Sequence, residues 1–295
     1  MIVYICNLPL KKKLVHLGGI IKINNFKTEI FTNSKNIEIQ FCDYKNIPLN
    51  TNCIYLFIKH IPDYVIPIIE KLKTNNYLIY EILDTSWYLK LTINNYINYL
   101  IPRFNLFHHV ILNNKSFLKN KIIQKLQINK SVIYHEYDQR LIKKDDIIQK
   151  KIIYIGSLKK SSFNQDYIIK YNIDIITITK PEHFYLNLKG IHIDYVKPNK
   201  LYYYIHTATK LSTCLALDSI FISNRIPVFV ELLGKKYDLF FKDDLSDLHQ
   251  IINKAYDILQ NTNKYLDYLK KMAPIKKRLS LHNSSKQYYD IFKSI

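Results

Sequence analysis

Short apolar runs alternate with longer amphipathic segments along this chain. Apolar runs of four to eight residues between polar segments are typical of buried parallel strands, and the segments between them of covering helices. In the first half we predict strands at Ile2–Cys6, Ile37–Phe41, Cys53–Ile58, Tyr77–Ile82, His109–Leu112 and Ser131–Tyr134. We predict helices at Asp63–Thr74, Ser86–Tyr99 and Ser116–Lys125. The N-terminal half is therefore predicted to be a Rossmann-like unit.

The alternation repeats after a polar, charge-dense segment, HEYDQRLIKKDDIIQKK, at residues 135–151. Further strands are predicted at Ile152–Ile155, Asp174–Ile178, Ile191–Val196 and Pro227–Val230. Further helices are predicted at Gln165–Lys170, Leu201–Ile205, Ala208–Ile222, Leu245–Gln260 and Asn263–Met272, with Pro274 breaking the last of these. The fold class is thus α/β, with two Rossmann-like domains at 1–146 and 147–275.

The length, composition and net charge of the chain indicate a folded two-domain protein with an anionic partner. A chain of 295 residues exceeds the usual single core, and 48% hydrophobic residues exclude intrinsic disorder. The net charge of +19 would normally favour nucleic acid. However, nearly all of it is lysine, which lacks the planar fork with which arginine reads phosphates and guanines. Nucleic acid is therefore a less favoured partner than an anionic small molecule, such as a nucleotide sugar, or an anionic membrane surface.

The four cysteines and the N-terminus indicate the compartment. Cys6, Cys42, Cys53 and Cys214 are scattered without CxxC spacing, so we interpret them as reduced core residues. The N-terminal MIVYICNLPLKKK places an apolar run before the lysines, the reverse of a secretory signal, and no run of 18 apolar residues occurs. We expect a cytoplasmic protein.

The segment HTATKLSTCLALDS, residues 206–219, carries the most informative chemistry. Thr207 or Thr209 could cap a helix here, leaving free N–H groups and a positive dipole end beside Lys210. The hydroxyls of Ser212 and Thr213 would complete an anion site. The alternative is an ordinary helix start with a capping threonine and a solvated lysine.

Two glycine-containing segments are further candidates. In YIGS, residues 154–157, a buried strand ends at Gly156 and Ser157, where a glycine would let a phosphate approach the backbone. An ordinary strand-to-loop turn is the alternative. Gly18 and Gly19 follow a basic segment that includes His16. They predict a flexible loop at the interdomain cleft or, equally, a plain turn.

Together these residues resemble the GT-B glycosyltransferases, in which two Rossmann-like domains face each other and the second holds a nucleotide sugar. The resemblance is most specific in the C-terminal half. It lies in YIGS, in ATKLS at a helix start, in Ile226-Pro227-Val228, and in the run YDLFFKDDLSDLHQIINKAYDIL.

The resemblance implies transfer of a sugar from a nucleotide sugar, which is a co-substrate rather than a cofactor. Thr209, Lys210 and Ser212 would bind the donor diphosphate, with Gly156 and Ser157 lining the same cleft. An ammonium and a helix N-terminus would stabilise the leaving nucleotide, so no metal would be required. Tyr195 would border the base, and Glu231 would accept hydrogen bonds from ribose or sugar hydroxyls.

The resemblance also implies an acceptor-side base in the first domain. Asp84 is the first candidate and His16 the second, although Asp84 could simply cap the following helix. The C-terminal helix, 276–295, would pack back on the first domain through Tyr288, Tyr289 and Phe292; capping of the second domain is the alternative. The acceptor could be a glycan, a lipid or a protein. The competing functions are a non-catalytic nucleotide-sugar binding protein and a nucleic-acid binder.

Overall fold

The first domain is built on a six-stranded parallel sheet. The computed structural model describes residues 1–7, 18–59, 61–82, 95, 101–137, 147–156, 163–176, 187–198 and 201–295. The strand order is β2-β1-β3-β4-β5-β6, with all described pairs parallel. The strands are β1 (Ile2–Asn7), β2 (Glu38–Asp43), β3 (Ile54–Ile58), β4 (Tyr77–Glu81), β5 (His109–Leu112) and β6 (Asn129–Val132). Every residue of β3 is buried, which explains its uninterrupted apolar sequence.

Helices cover both faces of this sheet. They are α1 (Gly18–Asn25), α2 (Glu29–Thr32), α3 (Ile66–Lys73), α4 (Lys115–Leu118) and α5 (Lys121–Lys125). The predicted loop at Gly18 and Gly19 is wrong, because these glycines are the first residues of α1. Burial of Lys22 and Ile23 on α1 supports a helix despite the entropic cost of its glycines.

The second domain has a five-stranded parallel sheet of order β11-β10-β9-β7-β8. Its strands are β7 (Ile152–Ile155), β8 (Ile173–Ile176), β9 (Ile191–Asp194), β10 (Ile220–Asn224) and β11 (Phe240–Phe241). Its helices are α6 (Gln165–Lys170), α7 (Leu201–Tyr204), α8 (Thr209–Ala216), α9 (Pro227–Leu233), α10 (Leu248–Gln260) and α11 (Thr262–Arg278), and the chain ends with α12 (Leu281–Lys293). No helix in these described ranges is long and apolar enough to cross a membrane.

Two predicted elements around residue 220 are wrong. The helix predicted at Ala208–Ile222 ends at Ala216, and Asp218 then turns the chain with a left-handed φ of 50°. Residues 220–224 form strand β10 instead. The strand predicted at Pro227–Val230 is the start of α9, because proline fits the first turn of a helix, where an N–H has no intrahelical partner.

The predicted break at Pro274 is also wrong, because α11 continues through it to Arg278. A proline inside a helix removes one backbone hydrogen bond. Here the helix is held by burial of Tyr265, Tyr268 and Met272 in the core of the second domain.

The last helix, α12, packs on the first sheet. Tyr288 and Phe292 are fully buried in one core cluster with Val3, Ile5 and Phe26. The chain therefore crosses from the second domain back to the first at its C-terminal end.

A buried ionic cluster reinforces this packing. The Lys22 ammonium lies 3.2 Å from Glu81 and 3.3 Å from Glu136, and all three side chains are at most 1% exposed. Tyr288 donates a hydrogen bond to Glu81 at 2.6 Å, and Asn25 donates one to Glu136 at 2.5 Å. The cluster thus joins α1, the end of β4, the segment after β6 and α12.

Candidate functional site

The candidate donor site lies at the carboxyl ends of the strands in the second sheet. Because these strands are parallel, their carboxyl ends meet at one edge, where ligands bind in open α/β sheets. Gly156 follows β7, Asp194 ends β9 and Asn224 ends β10. A cavity of about 380 Å³ opens beside β10 and β11 at this edge; its lining residues are Arg225, Phe241, Lys242, Asp243 and Asp244.

Lys210 is held at this edge by a buried carboxylate. Its Nζ lies 2.5 Å from Oδ1 of Asp194, while Oδ2 of Asp194 lies 3.0 Å from Nε2 of His206. Burial alone would raise the pKa of Asp194, but the charges of Lys210 and His206 outweigh it and lower that pKa to about 2. Burial would lower the pKa of Lys210, but Asp194 outweighs that effect and raises it. Asp194 and Lys210 are therefore an ion pair across the physiological pH range.

An aromatic ring connects Lys210 to Gly156. The ammonium of Lys210 lies 3.9 Å from the centroid of the Tyr154 ring, a cation–π contact. Gly156 has a φ of 146°, and a Cβ there would lie 3.3 Å from Cε1 of the same ring. Gly156 and Lys210 therefore both contact the Tyr154 ring, and the space taken by that ring explains a glycine at position 156.

The helix predicted to carry the anion site begins at Thr209, but the predicted threonine cap is wrong. Ala208 occupies the N-cap position, and its methyl side chain cannot accept a hydrogen bond. The hydroxyls of Thr207 and Thr209 contact each other at 3.0 Å. Ser212 is buried and donates to the carbonyl of Thr209 at 2.9 Å. The first N–H groups of a helix have no intrahelical acceptors, so the positive end of α8 lies beside Lys210.

Tyr195 lies at the same edge but with its ring in the core. The ring packs against Phe163 and Phe241 with centroid distances of 5.1 and 6.0 Å. Its hydroxyl donates to the carbonyl of Asp243 at 2.8 Å, and its N–H donates to Asp194 at 3.0 Å. The contact between Tyr195 and the base of a nucleotide stays a prediction. Because the ring and the hydroxyl of Tyr195 are engaged in these contacts, its backbone is the part that could border the base.

Glu231 occupies the boundary between the domains. The sequence predicts Glu231 just after a strand, but it lies within α9. Its carboxylate accepts hydrogen bonds from the N–H groups of Lys115 and Ser116, at 2.9 and 3.3 Å, and from the Tyr134 hydroxyl. Burial raises the pKa of Glu231, and the two N–H donors partly offset this. Its predicted bond to a donor hydroxyl stays a prediction, since its oxygens contact the first domain here.

A second interdomain contact reaches the anion site directly. Nδ2 of Asn113 donates to the carbonyl of Ile205 at 2.6 Å, and Nδ2 of Asn114 lies 3.3 Å from the carbonyls of both Tyr204 and His206. Ile205 is buried in the core of the first domain. The first domain thus holds the backbone of His206, whose ring contacts Asp194.

Three predicted site residues, Asp84, His16 and Ser157, lie outside the described residues. Conversely, the sequence prediction missed Asp194 and His206. Asp194 carried a usable signal, because a lone acid at the end of the apolar run IHIDYV, at residues 191–196, must be compensated where it is buried. Among the described residues, no group of three or more His, Cys, Asp or Glu side chains could hold a metal ion.

Comparison with known protein families and with curated proteins finds no match to this sequence. Solved structures do match. HepE from Anabaena, in complex with UDP and glucose, superposes with a TM-score of 0.64 at 10% identity, over 100% of this chain and 99% of that one. A glycosyltransferase from Rickettsia africae gives a TM-score of 0.62 at 12% identity, over 99% and 98%.

The pneumococcal O-GlcNAc transferase GtfA, in complex with UDP and GlcNAc, matches over a smaller share. Its TM-score is 0.57 at 10% identity, with 83% of this chain and 57% of that chain covered. The chain therefore has the GT-B glycosyltransferase fold, and the predicted fold class, two Rossmann-like α/β domains, is confirmed.

Proposed function

We propose that this protein is a glycosyltransferase that transfers a sugar from a nucleotide sugar, with UDP as the first nucleotide to test. The observation that carries the proposal is the Lys210 ammonium, fixed by buried Asp194 at the N-terminus of α8. It is supported by a GT-B fold that covers the whole chain, and by the UDP bound to HepE and to GtfA.

In this proposal the donor diphosphate binds Lys210, Thr209 and the first N–H groups of α8, with Gly156 lining the cleft. The acceptor hydroxyl attacks the anomeric carbon of the sugar as the bond from that carbon to the diphosphate oxygen breaks. The negative charge that develops on the departing nucleotide is stabilised by the ammonium and the helix N-terminus. The proton of the acceptor passes to a base in the first domain, for which Asp84 is the first candidate and His16 the second.

The proposal includes catalysis without a metal ion, since Lys210 and the helix dipole supply the positive charge that a cation would otherwise provide. Activity should then be unchanged in excess EDTA. A loss of activity in EDTA that added Mg²⁺ or Mn²⁺ reverses would contradict catalysis without a metal ion. The proposal also places the enzyme in the cytoplasm, and the net charge of +19 supports peripheral contact with anionic membranes.

The test is a thermal-shift screen against UDP, GDP, CDP, ADP and their common sugar conjugates. A nucleotide that binds only the folded state raises the melting temperature. We expect stabilisation by one nucleotide, and its loss in Lys210→Ala. The matched control is Lys254→Ala, which removes a lysine from an exposed ion pair with Asp238 at 2.8 Å.

Hydrolysis of the stabilising nucleotide sugar should then show turnover. Stabilisation without turnover would favour a non-catalytic nucleotide-sugar binding protein. No stabilisation of the folded protein by any nucleotide would overturn the donor site.

A further inference from the structure

The ring of His206 lies between two hydrogen-bond acceptors. Its Nδ1 is 2.7 Å from the carbonyl oxygen of Thr207, and its Nε2 is 3.0 Å from Oδ2 of Asp194. A carbonyl oxygen and an ionised carboxylate only accept hydrogen bonds, so an imidazolium, with a hydrogen on each ring nitrogen, is the form of the ring that suits both contacts.

The charge of His206 decides the net charge of the anion site. Asp194 contributes one negative charge, and Lys210 one positive charge 2.5 Å away. With a neutral imidazole these two charges cancel. With an imidazolium the cluster carries one net positive charge, which an anionic ligand at the start of α8 would experience.

We propose that His206 is a positioning residue of the donor site, whose imidazolium neutralises Asp194 and so leaves the charge of Lys210 available to the nucleotide diphosphate. The proposal rests on the proposed function, because the diphosphate is the ligand in question. His206 does not need to touch the ligand, since it acts through Asp194.

The surroundings of His206 support this role. Asp194 is its charged contact on β9, and Lys210 and Tyr154 lie beyond that carboxylate. From α9 the Phe229 ring packs against it with a centroid distance of 5.3 Å. His206 is 1% exposed, so its charge is screened little by solvent.

The first test needs no nucleotide. Long-range ¹H–¹⁵N NMR of histidine-labelled protein reports whether each ring nitrogen carries a proton, and the His206 signal is the one missing in His206→Gln. We expect a proton on both ring nitrogens of His206 in the unaltered protein, because each nitrogen faces an acceptor oxygen. A neutral ring at about pH 7 in the otherwise unchanged protein would overturn the proposal, whatever the protein binds.

The second test measures UDP and uridine affinities by calorimetry. The substitution His206→Gln would keep a side-chain donor for Asp194 but lose the charge, so we expect UDP to bind this variant about tenfold more weakly or worse, with uridine unchanged. His249→Gln is the control, because His249 is exposed on α10. An equal loss for UDP and uridine would contradict a charge effect. If UDP does not bind the unaltered protein, the proposed function fails while the NMR result stands.

A separate observation concerns two cysteines in the first domain. Cys6 on β1 and Cys42 on β2 are direct register partners, and their sulfur atoms are 3.1 Å apart. Cys6 is buried, whereas Cys42 is partly exposed. The hydrogen bond from Cys6 lowers the pKa of Cys42, while burial raises the pKa of Cys6.

We infer that this pair is an oxidation site. A disulfide bond forms between Cys6 and Cys42 when a small disulfide, such as oxidised glutathione, acts as the oxidant. The Cys42 thiolate attacks one sulfur of glutathione disulfide and releases one glutathione. Cys6, after losing its proton, attacks the Cys42 sulfur of the mixed disulfide and releases the second glutathione. The product ties edge strand β2 to β1.

Intact mass and peptide mapping after treatment with oxidised glutathione test this inference. We expect the loss of two hydrogens and a cross-link between the peptides that contain Cys6 and Cys42, both reversed by dithiothreitol. In Cys6→Ser we expect a glutathione adduct on Cys42 instead. Cys53 and Cys214 are buried internal controls. A persistent adduct on Cys42 in the unaltered protein, or no reaction at Cys42, would overturn the inference.

Discussion

The ammonium of Lys210 lies 2.5 Å from a carboxylate oxygen of Asp194, sixteen residues earlier in the chain. β9 ends at Asp194 and α8 begins at Thr209, so the ion pair joins the carboxyl end of a central strand to the N-terminus of α8, with α7 between them in the chain. Since Asp194 is fully buried, its charge must be compensated. The ion pair with Asp194 therefore orients the Lys210 ammonium in the absence of a ligand.

The first prediction concerns acid stability. The pKa of Asp194 in the folded state, about 2, lies below the usual value of about 3.9. Its ionisation therefore stabilises the fold above about pH 4, and this contribution is lost as the pH falls through the folded-state pKa. We expect the free energy of unfolding, measured in urea, to fall by about 2 kcal/mol more in the unaltered protein than in Asp194→Asn between about pH 5 and about pH 2.

Asp257→Asn is the control for this acid dependence. Asp257 also lies 2.6 Å from a lysine, Lys264, but its side chain is 59% exposed. Its variant should follow the unaltered protein closely. If the unfolding free energy of Asp194→Asn also followed that of the unaltered protein between about pH 5 and about pH 2, the low pKa of Asp194 would be contradicted.

The second prediction is that Gly156→Ala damages both the fold and the anion site. The φ of 146° is strained for alanine, and the added Cβ would press on the Tyr154 ring beneath Lys210. We expect a loss of about 1–3 kcal/mol in stability and weaker nucleotide binding. Gly234→Ala has a φ of 86° and nothing within 4 Å of its Cβ, so it isolates the backbone strain. Nucleotide binding should therefore be unchanged in Gly234→Ala, and an equal effect there would contradict the role of Tyr154.

The third prediction concerns the buried cluster beneath α12. Lys22→Met would leave the Glu81 and Glu136 carboxylates buried without their shared cation. Burial already raises the pKa of Glu81, and Lys22 limits that rise. We expect a loss of about 3–5 kcal/mol in the free energy of unfolding, measured in urea at neutral pH. Adding Glu81→Gln to Lys22→Met should recover part of the loss; a loss below about 1 kcal/mol for Lys22→Met alone would contradict the cluster.

The fold could be predicted where polar segments clearly bound an apolar run. Strands such as Ile54–Ile58 and Ile152–Ile155 stand between polar segments and were placed to within a residue. Residues 208–222 were not, because almost every residue from Leu211 to Ile222 is buried and the apolar pattern has no period to separate helix from strand. The turn between them depends on a left-handed aspartate, Asp218, where glycine would have been the recognisable signal.

The site could be predicted only in part. Lys210 and Gly156 were found from local patterns, since a helix start and a strand end are visible in sequence. The partners of Lys210 were not, because Asp194 and His206 meet only when β9 and the segment before α8 fold together. The prediction for Glu231 rests on a strand at Pro227–Val230 that is a helix in the structure, and its bonds to Lys115 and Ser116 cross between domains.

The last prediction separates the two roles of Glu231. In the structure it accepts hydrogen bonds from the first N–H groups of α4 in the other domain. Removing it in Glu231→Ala should lower stability by about 1.5–3 kcal/mol, since bonds to a charged group are lost. Hydrogen exchange should rise in residues 115–118 without any nucleotide present, whereas Glu70→Ala, an exposed change on α3, should leave it unaltered.

Uridine affinity completes this test. If Glu231 serves only the interdomain contact, uridine should bind Glu231→Ala and the unaltered protein equally under conditions where both are folded. If Glu231 also accepts a hydrogen bond from the ribose, uridine should bind the variant at least several-fold more weakly. Unchanged exchange in residues 115–118 together with weakened uridine binding would contradict the interdomain role and favour the donor contact predicted from the sequence.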